Sequence, residues 1–259
     1  MEPRGTGGEP VLVTGGTGTL GTHVVQDLRG HGCQVRVLSR KQRASSPGVT
    51  YVVGDLANGT GVQEAVAGAG VIIHCASAKK GDVQATQTLV RAAAAQSRPP
   101  HLVYISIVGV ERIRFRYFKA KLAAENVVAD SSLPWTLQRA TQFYDFVLSG
   151  ATNMARSPIV AAPKNFLCQP IDPADVAHQL VELALGPPSG RVPDIGGPEV
   201  LTWADMIRQY LRIAGRHRLV VEVRMPGTSA IRAGGLLVKD PAGKTGDTTW
   251  QEFLAKKLN

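Results

Sequence analysis

The chain has little cysteine, few aromatics and no long apolar run, and each shortage removes a class of protein. Cys33, Cys75 and Cys168 are its only cysteines. Their odd number and wide spacing cannot close a full disulfide framework, and no C-x-x-C pair offers metal or redox spacing. No metal is expected, and a reducing, cytoplasmic setting fits this usage. No run approaches the roughly 18 apolar residues that span a bilayer. The polar, Gly/Pro-rich stretch from Met1 to Pro10 lacks the apolar core of a secretory leader, so no membrane partner is expected. Repeats and low-complexity tracts are absent too. The net charge of +9 would favour an anionic partner. However, the cations are scattered, and the two loose groups, Arg112-Arg114-Arg116-Lys119-Lys121 and Arg208-Arg212-Arg216-Arg218, carry no interleaved aromatics of the kind on which single strands stack. Nucleic acid is therefore disfavoured.

Glycine, by contrast, is concentrated where it matters. Val11-Leu12-Val13-Thr14-Gly15-Gly16-Thr17-Gly18-Thr19-Leu20-Gly21 is a short apolar run breaking into closely spaced glycines. Gly16, Gly18 and Gly21 satisfy G-x-G-x-x-G, and Gly15, Gly18 and Gly21 satisfy G-x-x-G-x-x-G. Such glycines let the backbone turn sharply out of a strand, admit a pyrophosphate and pack the next helix on the sheet. The pyrophosphate would lie along Gly15 and Thr17–Gly21, on the free N–H groups of a helix N-terminus. The helical pattern Leu20, Val24, Val25, Leu28, ending at Gly30 and Gly32, supplies the required context.

Strand-like runs follow at Val35–Leu38, Thr50–Val53, Val71–His74, His101–Ser106 and Trp135–Leu137, with helices between them near Gly61–Ala67, Val83–Ala95 and Tyr117–Ala129. This alternation predicts an α/β fold, a Rossmann-type doubly wound parallel sheet. The 259 residues suit one main unit with an appendage. The expected division is a dinucleotide-binding domain over residues 1–138 and a smaller substrate lobe over 139–259 that contributes some strands to the main sheet. The lobe is expected to hold helices at Ala174–Leu185 and, behind the cap Thr202, at Trp203–Ala214. Its apolar residues Phe143, Phe146, Val147, Phe166 and Leu167 read either as core or as the lining of an apolar substrate site.

About 20 residues past the glycines, the end of the second strand reads the adenosine ribose. Here Ser39-Arg40-Lys41 offers a hydroxyl and two cations suited to a 2′-phosphate, which favours NADP(H) over NAD(H). Asp55 and the neighbouring Leu56 backbone suit the adenine edge, although Asp55 also reads as a turn cap. Ala76 and Ser77 place small residues beside the nicotinamide ribose, while His74 and Cys75 read as core. Tyr117 and Lys121 stand four apart on one helical face, where an ammonium lowers a phenol pKa toward general acid–base use. Ser106 supplies a hydroxyl for a substrate carbonyl.

In these motifs the chain resembles the short-chain dehydrogenase/reductase superfamily, in particular its atypical, NmrA-like NAD(P)H-binding branch. The likeness rests on Thr14–Gly21, Ser39-Arg40, Gly54-Asp55-Leu56, Ile105–Val110 and Lys121–Glu125. It implies that Lys121 binds the nicotinamide ribose, that Tyr117 is the acid/base, that Ser106 orients substrate, and that Thr141 and Gln142 line the nicotinamide pocket. The expected function is hydride transfer between NADP(H) and a small carbonyl, quinone or sugar-nucleotide substrate, by a monomer or homodimer. Two alternatives stand beside it: a non-catalytic NADP(H) sensor in which Tyr117 only lines the pocket, and a nucleoside-diphosphate-sugar epimerase.

Overall fold

The computed structural model describes residues 8–77 and 81–258. Strand and helix alternate through β1 (Val11–Thr14), α1 (Thr19–Gly30), β2 (Val35–Ser39), β3 (Val49–Val53), α2 (Val62–Val66), β4 (Val71–His74), α3 (Asp82–Ala94), β5 (His101–Ile107), α4 (Arg116–Ala129) and β6 (Trp135–Ala140). There follow α5 (Tyr144–Met154), β7 (Ile159–Pro163), β8 (Leu167–Cys168), α6 (Pro173–Leu185), β9 (Gly190–Arg191) and β10 (Ile195–Gly196). The chain then forms β11 (Leu201–Thr202), α7 (Trp203–Ile213), β12 (Leu219–Val223), α8 (Ser229–Arg232), β13 (Lys244–Thr245) and α9 (Trp250–Leu258). Two compact units result. The first comprises the described residues up to Ser106, Phe115–Gln138 and Ala177–Val192; the second comprises Ile107–Arg114, Arg139–Val176 and the described residues from Pro193 on.

In the first unit the strand order is β6-β5-β4-β1-β2-β3, with β9 beside β6. β1 is parallel to both β2 and β4, and β2–β3, β4–β5 and β6–β9 are parallel as well. This is the doubly wound Rossmann order, and the reversal at β1 creates the switch point outside whose strand ends ligands bind. The strands read as apolar runs because a parallel sheet is buried on both faces: every residue of β1 and β4 is buried. Leu12, Ile72, Leu89, Leu102, Ala124 and Leu137 belong to one buried cluster that joins this sheet to its helices.

The strand expected at Trp135–Leu137 continues to Ala140. Gln138 and Arg139 look like a polar end in sequence but are only 1% and 5% exposed, and Arg139 Nη2 donates to Glu111 Oε1 at 2.8 Å. The helix expected from Gly61 begins one residue later, because Gly61 is left-handed (φ +66°).

The second unit contains the parallel pair β7/β12, the antiparallel pair β8/β11, and β10, which pairs with Ala140 of β6 and with β13. Thr202 caps α7, accepting from Asp205 N at 3.1 Å. Tyr144, Trp250 and Phe253 form an aromatic core, with ring centroids 5.1–5.7 Å apart. Phe146 is not core, contrary to that reading: it lies on α5 but is 65% exposed. Val147 of the same helix is fully buried.

Candidate nicotinamide cofactor site

The glycine turn follows β1, at the switch point. Gly15 is left-handed (φ +71°), and a Cβ there would lie 2.6 Å from the Ala76 nitrogen, so the turn after β4 passes directly against it. A Cβ on Gly21 would strike the Gly15 carbonyl. Gly18 N–H donates to Gly15 O, and Thr22 N–H to Gly18 O. The N–H groups of Thr19, Leu20 and Gly21, at the start of α1, take no carbonyl among the described residues. Gly18 offers α1 no side-chain cap, and its first turn carries no acid. A bare helix N-terminus reached only past glycines fits a pyrophosphate. Thr17 and Thr19 are exposed beside it, and Leu20 is buried against the core.

At the end of β2, Ser39 Oγ donates to Lys41 O at 2.9 Å, so its proton is already used locally. Arg40 and Lys41 are exposed and have no ion-pair partner among the described residues. Asp55 closes an Asx turn, its Oδ1 accepting from Ala57 N at 2.9 Å. The Leu56 side chain is in the core cluster, which leaves only its backbone for a ligand.

His74 is core, as its neighbourhood in the sequence suggests. Thr86 spends its one hydroxyl proton on Asp82 O (2.9 Å), so it accepts from His74 Nε2 at 3.1 Å. Nε2 therefore carries the ring proton, and Nδ1 accepts from Thr14 Oγ1 at 2.6 Å. Burial, followed by repulsion from Lys121, drives the His74 pKa down to about 3, so the ring is neutral. Cys75 is half-buried, and burial pushes its thiol up to about 12.

Lys121 is 3% exposed. Its Nζ donates to Tyr104 Oη at 3.3 Å and lies 3.4 Å from Asp82 Oδ2. Burial pulls this ammonium down, but Tyr104, Asp82 and Tyr117 more than offset it, holding its pKa above the usual lysine value. Ser77 Oγ donates to Asp82 Oδ2 at 3.1 Å, which links the β4 turn to the same carboxylate. Ser106 is 1% exposed, and its Oγ has no hydrogen-bond partner among the described residues. Tyr117 is 44% exposed, its ring edge-on to Phe118. The fold thus brings Lys121 to Tyr104 and Asp82, neither of which the sequence singled out. A signal for Tyr104 was present, because it stands two residues before Ser106 on a strand and so shares its face.

Thr141 and Gln142 belong to the second unit. Their backbones join its strands, Thr141 N–H donating to Ile195 O and Gln142 O accepting from Ile171 N. Thr141 Oγ1 and Gln142 Oε1 are buried without hydrogen-bond partners among the described residues.

The profile of the NAD(P)H-binding family matches residues 15–187, from the glycine turn through α6. The chain belongs to the NAD(P)H-binding family. As a member of it, the chain binds a nicotinamide cofactor. A (4-alkanoyl-5-oxo-2,5-dihydrofuran-3-yl)methyl phosphate reductase of Streptomyces griseus is 30% identical over 215 residues, 80% of this chain and 74% of that protein. The photosystem II assembly factor Ycf39 of Trieres chinensis is 25% identical over 229 residues, 82% of this chain and 72% of that one. The NADPH-dependent quinone oxidoreductase QOR2 of Escherichia coli, crystallised with NADPH, superposes with a TM-score of 0.78. It is 17% identical, over 96% of this chain and all of that one, and so shares the fold. Family and relatives together place this NAD(P)H-binding protein among the oxidoreductases.

Proposed function

We propose that the chain is an NADPH-dependent reductase that delivers hydride to a small carbonyl or quinone. Ser106 carries the reading. A buried hydroxyl with no partner forfeits about 1–3 kcal/mol, so one kept at the end of β5, in the unit of the glycine turn and Lys121, suits a donor waiting for a substrate oxygen. The nicotinamide cofactor supplies the hydride when bound. Gly15, Thr17, Gly18 and the N–H groups of Thr19, Leu20 and Gly21 hold its pyrophosphate. Asp55 and the Leu56 backbone take the adenine edge, and Ala76 and Ser77 pass the nicotinamide ribose. Lys121, kept charged, binds that ribose. Ser106 orients the substrate oxygen, Tyr117 gives its proton to the alkoxide left by hydride addition, and solvent reprotonates the exposed phenol. Arg40 and Lys41, unpaired, take the 2′-phosphate, with Ser39 shaping their turn, and this favours NADP(H) over NAD(H). The name of the Streptomyces relative, a reductase, supports reduction as the direction.

One observation favours a second reading. Lys121 is hydrogen-bonded to Tyr104 rather than to Tyr117, which suits a cofactor-binding regulatory protein without turnover. The deciding experiment is calorimetric titration with NADPH, NADP⁺, NADH and NAD⁺, repeated with Arg40→Ala and followed by NADPH consumption on carbonyl, quinone and sugar-nucleotide panels. Arg40→Ala is expected to weaken NADPH about tenfold to a hundredfold and leave NADH unchanged. Consumption that Ser106→Ala abolishes while NADPH still binds supports the reductase. Tight binding with no consumption on any panel supports the sensor, and binding of none of the four nucleotides overturns both.

A further inference from the structure

The parallel pair β7/β12 in the second unit has an outer face unlike that of a solvated sheet. Its register sets Ile159 beside Leu219 and Ala161 beside Val221, with Val223 next along. Side chains alternate along a strand, so these five share one face. All five are exposed, Leu219 by 61% and Ile159 by 56%, while the intervening Val160 and Ala162 are buried. A strand pair with one face on the core and the other in water normally alternates apolar and polar residues, the polar ones outward. Here the one acid of β12, Glu222, alternates to the other face, where Arg208 of α7 holds it at 3.0 Å.

Cations stand at both ends of this aliphatic face. Arg156 and Arg216 precede the two strands, and Lys164 and Arg224 follow them. All four are exposed, and none has an ion-pair partner among the described residues. Aliphatic side chains ringed by unpaired cations match the boundary of an anionic bilayer, where apolar groups reach the acyl region and cations meet phosphate.

We propose that this face docks on an anionic lipid bilayer, with the cations at its two ends, Arg156, Arg216, Lys164 and Arg224, taking headgroup phosphates. Two other occupants fit less well. A second copy stacked on the same face would bring like charges together. The face is also only about 16 Å long by two strands wide, small against the roughly 800 Å² per partner of a stable dimer. A nucleic acid would use the cations but leave the aliphatic residues idle, and no aromatic stands among those five for a base to stack on. No helix among the described residues is long and apolar enough to cross a membrane, so the seat is peripheral. The expectation of no membrane partner rested on the lack of a spanning run and a leader, and surface docking needs neither. The inference is independent of the proposed reductase activity.

The test is co-sedimentation of the full chain with phosphatidylcholine vesicles with and without phosphatidylglycerol. Binding is expected only with phosphatidylglycerol. It should fall about a hundredfold in Arg216→Glu/Arg224→Glu, and also in Leu219→Ser/Val221→Ser, with NADPH binding unchanged in each as the check on folding. No binding to anionic vesicles at low salt overturns the proposal. So does binding that survives Leu219→Ser/Val221→Ser undiminished, or tighter binding to duplex DNA than to vesicles, since either makes the surface a polyanion site only. Concentration-dependent dimerisation abolished by Leu219→Ser/Val221→Ser overturns it in favour of self-association.

Discussion

His74 illustrates how a residue with no part in the chemistry supports the residues that have one. Its ring joins Thr14, the last residue before the glycine turn, to Thr86 on α3, the helix whose first residue, Asp82, pairs with Lys121. Its pKa falls from the ordinary 6.5 to about 3 on folding. Between those values the unfolded chain binds the proton and the folded chain does not, so this contribution to stability is complete above 6.5 and is lost as pH falls toward 3. His74→Gln, which keeps a hydrogen-bonding side chain but cannot titrate, should flatten that part of the acid dependence. Urea midpoints measured from neutral pH down to 4 check it, and an unchanged slope would mean that His74 does not carry the acid sensitivity. At this scale the sequence singles out Lys121 only through its spacing from Tyr117. Its hydrogen-bond and ion-pair partners were not legible there, because Tyr104 and Asp82 come from separate elements and meet it only in the packed unit.

Among the elements, those of the first unit were readable because strands buried on both faces must be apolar throughout, and a glycine turn leaves few alternatives for the backbone around it. The second unit resisted. β8, β10, β11 and β13 are two residues long each, and such strands exist only through partners elsewhere in the chain, as when Leu201 pairs with Cys168. α7 is the exception, since its start is written locally: Thr202 Oγ1 accepts from Asp205 N and donates to Asp205 Oδ2 at 2.6 Å. Thr202→Ala is expected to cost about 1 kcal/mol, read as a lower urea midpoint with unchanged m-value. A loss within measurement error would show that the tertiary packing of α7 makes the cap redundant.

For the molecule as a whole, cofactor binding and folding are linked. A ligand that binds only the folded chain at a hundredfold excess over its Kd adds about 2.7 kcal/mol of stability. NADPH at that ratio should therefore raise the unfolding midpoint, and Gly21→Ala, whose methyl group would strike the Gly15 carbonyl, should abolish the rise. A rise that persists in Gly21→Ala would place the nucleotide away from the turn. Sequence alone determined the turn and the order of the strand and helix runs after it, because those follow from local rules: glycine where φ is positive or a backbone approaches, apolar runs where a strand is buried. Tertiary structure alone decided which groups meet Lys121, that Phe146 faces solvent, and that Ile159, Leu219 and Val221 share an exposed face. These depend on register and burial between segments far apart in the chain, and no local pattern encodes them.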